Sequence, residues 1–189
     1  GVHPTLLPQQ TLENEFVDIV VRGEGELTIQ DLALALQNQE SLSEVKGISY
    51  RQGDRVISNP DRKPMNLNEI DKELPYDLFV MDKYNLPAFP VHTSRGCPYR
   101  CGFCYNTAFN KRIWRFKIAE RVLDEIEYVI SRFGARKISF TWEDEFFIRP
   151  SRVKEICNGI IERGIKIEWE SFCRFDSFQK VDDELLRLM

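Results

Sequence analysis

The sequence predicts an α/β fold with a parallel sheet in its second half. After Pro90, short apolar segments alternate with amphipathic helical segments, and this alternation favours parallel strands joined by right-handed crossovers. The 189 residues are 42% hydrophobic and 30% charged, which is typical of a folded globular protein. The pattern before Pro90 is different and indicates a separate region.

The first region is predicted to contain a strand, a tight turn and a helix. Phe16 to Val21 is rich in β-branched residues, and Gly23 and Gly25 end that run. The helix that follows has an apolar face marked by Leu27, Leu32 and Leu36.

A hairpin and a linker are predicted next. The segment "GISYRQGDRVIS" has a turn signal at residues 52–54. Residues 59–90 contain five of the nine prolines and little periodicity, so we expect a linker that wraps over a surface. The predicted organisation is therefore a first region at 1–58, a linker at 59–90 and a second domain at 91–189.

The second domain is predicted to alternate strands and helices. "AFPVHTS", "KISFTW" and the alternating Ile165, Ile167 and Trp169 are the predicted strands. Two helices are marked by apolar residues at helical spacing, and we expect Gly134 to end the first, Ser151 to cap the second and Gly164 to end it. Their apolar positions are Ile118, Val122, Ile126, Val129 and Phe133, then Val153, Ile156, Cys157, Ile160 and Ile161. Functional groups in parallel sheets collect at the C-terminal ends of strands.

A cluster of cysteines follows the first of these strands. Cys97, Cys101 and Cys104 have the spacing C-x3-C-x2-C. Three thiolates on one loop can bind three irons of a cubane cluster and leave the fourth open for another ligand. A zinc site with His92 as the fourth ligand is the alternative, and it would make the chain a zinc-stabilised binding module without catalysis.

This loop, with Phe103 before the last cysteine, resembles the cluster loop of the radical S-adenosylmethionine (radical SAM) enzymes. The resemblance implies a partial (β/α) barrel and a [4Fe–4S] cluster whose open iron binds S-adenosylmethionine (SAM). Reductive cleavage of SAM then gives methionine and a 5′-deoxyadenosyl radical, with Phe103 against the adenine. The cofactors supply the difficult chemistry.

Charged residues at two other strand ends are further candidates. The resemblance implies that Glu143 or Asp144 of "FTWEDEFF" meets the SAM ammonium group, whereas we expect Glu145 to be a solvated charge. Arg174 resembles an arginine that faces the cleft and pairs with the SAM carboxylate, and an ion pair with Asp176 is the alternative. Cys157 is expected to be a small core residue. Cys173 is expected to be buried and unreactive, and a position near the strand end that faces the cleft is the alternative.

Residues 1 to about 40 are similar to the last third of the cobalamin-binding domain that precedes many radical SAM domains. The resemblance implies the C-terminal part of a doubly wound sheet, in which Gly23 and Gly25 let the backbone approach cobalamin closely. We therefore expect the chain to be a fragment of a longer cobalamin-dependent enzyme.

The expected function is methylation of an unactivated carbon by the parent protein. The alternative within the class is an oxidative cyclase or rearrangement enzyme, like the tetrapyrrole cyclases. We expect a small-molecule substrate and a reductant such as flavodoxin or ferredoxin. The net charge of −4 gives no reason to expect nucleic acid. No apolar run approaches the roughly 20 residues of a membrane span, and the odd cysteine count favours a reducing cytoplasm.

Overall fold

A computed structural model of the chain describes residues 1–70, 74–84, 87–141 and 143–189. It divides into two compact units. Unit 1 comprises Gly1–Met65 and Tyr99–Arg112, and unit 2 comprises Asn66–Pro98 and Ile113–Met189. Within the described ranges, none of the helices is both long and apolar enough to cross a membrane.

Unit 1 combines short helices with one antiparallel sheet. Its elements are α1 (Val2–Leu6), α2 (Pro8–Leu12), β1 (Ile19–Val21), α3 (Glu26–Gln37), β2 (Ile48–Gln52), β3 (Arg55–Ser58) and α4 (Asn106–Phe109). The sheet order is β1-β2-β3, with both pairings antiparallel. The hairpin is confirmed, and Gly53 at its turn has a φ of +61°, a conformation that favours glycine.

The helix α3 is confirmed, but its predicted buried face is only partly right. Leu32 is buried, whereas Leu27 and Leu36 are exposed. The buried positions are Thr28, Leu32 and Ala35. Ala35 is small and apolar. The Thr28 hydroxyl can be buried beside it because it donates a hydrogen bond to the carbonyl oxygen of Lys46.

Unit 2 contains the predicted parallel sheet. Its elements are β4 (Phe89–Pro90), β5 (Ser94–Arg95), β6 (Arg115–Phe116), α5 (Ala119–Phe133), β7 (Lys137–Ser139), α6 (Pro150–Glu162), β8 (Glu168–Glu170), α7 (Phe175–Phe178) and α8 (Asp183–Leu188). The strand order is β4-β7-β8, and both pairings are parallel. A separate antiparallel pair, β5 with β6, joins the start of the cysteine loop to the segment that leads into α5.

Five turns of 3-10 helix complete the described structure, at residues 42–44, 67–69, 76–78, 81–83 and 146–148. Three of them lie in the segment predicted to be a linker. That segment nevertheless contributes to packing, because Leu67 is buried and the Tyr76 ring lies 5.1 Å from the Phe89 ring. The predicted boundaries of the linker stay a prediction.

The core of unit 2 lies where α5 and α6 pack beside the parallel sheet. Val122, Ile126 and Val129 of α5 are fully buried, as their spacing predicts. Gly134 ends α5 with a φ of +65°, which confirms its predicted role. Ser151 is not a cap: Arg149 occupies the N-cap position and Pro150 the first turn, where proline is favoured because that turn needs no backbone donor.

The core includes one of the cysteines outside the loop. Cys157 of α6 is buried, as predicted, and burial raises the pKa of its thiol to about 11. Cys173 is only partly buried and packs against the same core. Its thiol pKa is also raised to about 11, mainly by desolvation, so both thiols are poor nucleophiles at neutral pH.

Candidate SAM and cluster site

A buried carboxylate lies after β7, where the parallel strands end. Glu143 is 7% exposed. One of its oxygens accepts hydrogen bonds from the Thr93 backbone N–H at 3.3 Å and from the Thr93 hydroxyl at 2.8 Å. The other accepts from the Ser94 hydroxyl and lies 3.0 Å from the Thr93 hydroxyl oxygen. Because β4 and β7 are parallel neighbours, the residues after each strand meet at one edge.

Burial dominates the electrostatics of Glu143. Desolvation raises its pKa to about 7, although the hydroxyl donors and Arg152 oppose that rise. Both carboxylate oxygens are already bonded within the protein. Glu143 therefore has the environment of an internal structural carboxylate, and its predicted contact with a ligand stays a prediction.

Arg152 supplies the cation beside this carboxylate, and the sequence reasoning missed it. The side chain comes from α6 and is 2% exposed. Its Nε donates to the Lys117 carbonyl and its Nη2 to the Thr93 carbonyl, both at 2.9 Å. Its Nη1 is buried without a hydrogen-bond partner, and burial lowers its pKa to about 10. The available signal was its position four residues before Ile156, on the apolar face of the predicted helix.

The next carboxylate holds the base of the cysteine loop. Asp144 accepts a hydrogen bond of 3.0 Å from the backbone N–H of Gly96. Gly96 has a φ of +83°, which a side chain would disfavour. The acidic residues at the end of β7 thus contact the chain immediately before Cys97.

The expectation for Glu145 is wrong, because this residue is not a solvated charge. It is 2% exposed, and its carboxylate accepts from the backbone N–H groups of Phe147 at 3.1 Å and Arg174 at 3.0 Å. Two backbone donors compensate the burial of its carboxylate. Burial raises its pKa above the ordinary value.

Arg174 makes the alternative ion pair that the sequence suggested. Its Nε and Nη2 donate to the two carboxylate oxygens of Asp176, at 2.9 and 2.8 Å. Pairing with a ligand carboxylate would require Arg174 to exchange this partner, so that role stays a prediction.

The cysteine loop carries the donor set of an iron–sulfur site. Cys97 is 8% exposed, Cys101 and Cys104 are partly buried, and the Cys104 N–H donates to the Cys101 carbonyl at 3.0 Å. Phe103 is 94% exposed.

Thiolates are the ligands that iron–sulfur clusters use, so the chemistry of these three side chains fits. Among the described residues, no three His, Cys, Asp or Glu side chains are grouped as metal ligands. The described side chains are therefore not arranged as a zinc site with His92 either. Ligand geometry of this kind commonly forms together with the metal.

The two glycines of unit 1 differ in their backbone. Gly23 has a φ of +73°, and a Cβ added there would meet nothing within 4 Å. Its N–H donates to the Thr5 hydroxyl at 2.8 Å. Gly25 is the N-cap of α3 with a φ of −90°. The backbone at Gly23 is thus accessible, as a close approach of a cofactor requires. The contact of Gly23 and Gly25 with cobalamin stays a prediction.

The C-terminal half of the chain matches a known family. Residues 91–189 match the model of the Radical SAM superfamily, and this match includes the three cysteines, the acidic strand end and Arg152. The chain belongs to the radical SAM superfamily. Membership implies a [4Fe–4S] cluster and SAM as cofactors.

The likeness extends over the whole chain. An uncharacterized methyltransferase of Pyrococcus horikoshii is 37% identical over 186 residues, covering 95% of this chain and 40% of that protein. An anaerobic magnesium-protoporphyrin IX monomethyl ester cyclase of Cereibacter sphaeroides is 27% identical, covering 99% of this chain and 32% of that protein. The chain therefore spans less than half the length of either relative.

A solved structure resembles both units. The structure of the cobalamin-dependent SAM radical enzyme OxsB, with aqua-cobalamin and SAM bound, aligns with a TM-score of 0.79 and 28% identity. The alignment covers 100% of this chain and 28% of that one. The α/β fold class is confirmed by this likeness.

Proposed function

We propose that the whole protein is a cobalamin-dependent radical SAM enzyme that methylates an unactivated carbon of a small molecule. The observation that supports this most strongly is the likeness to OxsB over the full chain, which includes the residues before 91 that lie outside the family model. The methyltransferase relative at 37% identity favours methylation. The cyclase relative at 27% identity supports the second candidate, an oxidative cyclisation.

In this proposal Cys97, Cys101 and Cys104 hold the cluster. The bound cluster and SAM supply one-electron cleavage of a carbon–sulfur bond. Asp144 is a better candidate than Glu143 for the SAM ammonium group, because Asp144 is partly exposed whereas Glu143 is buried.

The remaining contacts follow the same proposal. Phe103, which is exposed, provides an aromatic face for the adenine. Arg174 meets the SAM carboxylate, and Gly23 and Gly25 border the cobalamin. A reductant such as flavodoxin or ferredoxin delivers the electron, and the protein works in the cytoplasm.

Anaerobic reconstitution with iron and sulfide tests this function. We expect a brown chain with broad visible absorption, about four irons per chain and a SAM-dependent change in the electron paramagnetic resonance (EPR) spectrum of the reduced cluster. Cys97→Ala should abolish the colour, whereas Cys157→Ala is the matched control and should keep it because Cys157 lies in the core.

Two results would contradict the proposal. Stoichiometric zinc with no colour after reconstitution would favour the zinc-stabilised binding module. Formation of 5′-deoxyadenosine without uptake of added cobalamin by the full-length protein would reject the cobalamin-dependent part alone. Transfer of a labelled methyl group from SAM to the product would separate methylation from cyclisation.

A further inference from the structure

Thr93 lies between β4 and the cysteine loop, and its polar groups are all bonded. The residue is 0% exposed. Its N–H and its hydroxyl bond to the Glu143 carboxylate. Its carbonyl oxygen accepts from the Arg152 Nη2 at 2.9 Å and from the Lys117 N–H at 2.8 Å. A carboxylate therefore holds the N–H and hydroxyl of Thr93, and a guanidinium holds its carbonyl oxygen.

The contacts continue toward the first cysteine. The Ser94 hydroxyl donates to Glu143, and the Gly96 N–H donates to Asp144. Thr93 lies only four residues before Cys97. The segment that leads to the first thiol is thus held at three of the four preceding residues by side chains from the segment after β7 and from α6.

The charges in this network balance one another. Glu143 and Arg152 are both buried, and each favours the charged form of the other. A buried ion pair, Lys117 with Glu125, lies beside them, because the Lys117 carbonyl accepts from Arg152. A buried charge that loses its partner is strongly destabilised. Arg152→Met removes a donor to the Thr93 carbonyl, and Glu143→Gln replaces one accepting oxygen by an N–H donor, so either substitution should loosen the backbone at Thr93.

We propose that Glu143 and Arg152 form a clamp on Thr93 that positions the cysteine loop, so that both are positioning residues of the SAM-cleaving site. The clamp consists of contacts inside the protein. Glu143 contacts Thr93 and Ser94 but not SAM, and it affects SAM cleavage only by positioning those residues. The claim about the site depends on the proposed function, whereas the claim about the loop backbone does not.

The loop backbone can be tested in the chain without metal. The rate of alkylation of Cys97 by iodoacetamide, followed by peptide mass spectrometry, reports opening of the loop base, and Cys157 reports opening of the core in the same sample. We expect Arg152→Met and Glu143→Gln to raise the Cys97 rate about tenfold with Cys157 unchanged. An exposed residue of the same helix serves as the control, and Glu162→Gln should change neither rate.

Substitutions of Thr93 separate the clamp from general destabilisation. Thr93→Val keeps the shape but removes the hydroxyl, whereas Thr93→Ser keeps it. We expect faster alkylation of Cys97 in Thr93→Val and restoration in Thr93→Ser. Equal acceleration at Cys97 and Cys157, or no acceleration at either, overturns the clamp.

The reconstituted chain tests the positioning role directly. In Glu143→Gln we expect less iron per chain, while the clusters that do form keep the SAM-dependent EPR change of the unmodified chain. Full iron with loss of the SAM response would make Glu143 a ligand contact and overturn the proposal. If the unmodified chain takes up no cluster, the proposed function fails, and the alkylation rates of the metal-free chain still decide the clamp.

Discussion

The buried carboxylate of Glu143 predicts a specific pH dependence of stability. Its pKa is raised from an ordinary 4.5 to about 7 by burial. An acid whose pKa is higher in the folded state binds its proton more tightly there. Its contribution to stability is therefore fully present below pH 4.5 and is lost as the pH rises through 7. Glu143→Gln cannot ionise and should lack this loss.

The size of the effect follows from the two pKa values. Each pKa unit is worth about 1.4 kcal/mol, so the difference between 4.5 and about 7 corresponds to about 3 kcal/mol. The unmodified chain should lose up to about 3 kcal/mol relative to Glu143→Gln between pH 4.5 and pH 8. Glu125 and Glu145, whose pKa values are also raised, are present in both proteins, so their contributions cancel.

Urea unfolding followed by tryptophan fluorescence measures this difference. All three tryptophans lie after residue 112 in the sequence, so the signal reports residues of unit 2. The control is Glu162→Gln, which removes an exposed carboxylate from the same unit and should follow the pH profile of the unmodified chain. A free-energy difference between the unmodified chain and Glu143→Gln that does not change with pH would refute the reasoning.

Two further predictions concern packing in each unit. In Gly159→Ala the new Cβ would lie 2.2 Å from Leu123 Cδ1. Overpacking of about 2 kcal/mol should exceed the gain in helix propensity of about 1 kcal/mol, so urea unfolding should show a net loss of stability, and the same Gly159 substitution should cost less when Leu123 is already Ala. Arg51 donates to the carbonyls of residues 12, 14, 15 and 17. Arg51→Met should therefore lower the free energy of unfolding by about 2 kcal/mol and speed hydrogen exchange across residues 12–17. Arg55→Met, on the exposed end of the hairpin, should change neither quantity.

Local patterns were sufficient for the regular elements of unit 2. The helices α5 and α6 follow the spacing of their apolar residues, and the parallel order β4-β7-β8 follows from the alternation of strands and helices. Periodicity was insufficient for the pair β5 with β6, because strands of two residues carry no measurable period. It also misplaced part of the buried face of α3, since Leu27, Ile29, Leu34 and Leu36 of that helix are apolar but exposed.

Three successive carboxylates illustrate what the sequence could not distinguish. Glu143, Asp144 and Glu145 are chemically alike, yet Glu143 bonds to Thr93 and Ser94, Asp144 to Gly96, and Glu145 to Arg174. The partners lie 29 to 50 residues away in the chain. A charge run therefore looks solvated until its donors are located in space.

By itself the sequence determined the chemistry available to this protein: three thiols at a spacing that suits an iron–sulfur cluster, and a strand–helix rhythm that suits a parallel sheet. Only the tertiary structure decided which charges turn inward and what they hold, above all Arg152 on the carbonyl of Thr93, 59 residues away. The reason is physical. The identity of a ligand and the period of a helix are local properties, whereas burial of a charge is stable only beside partners that the folded chain brings together.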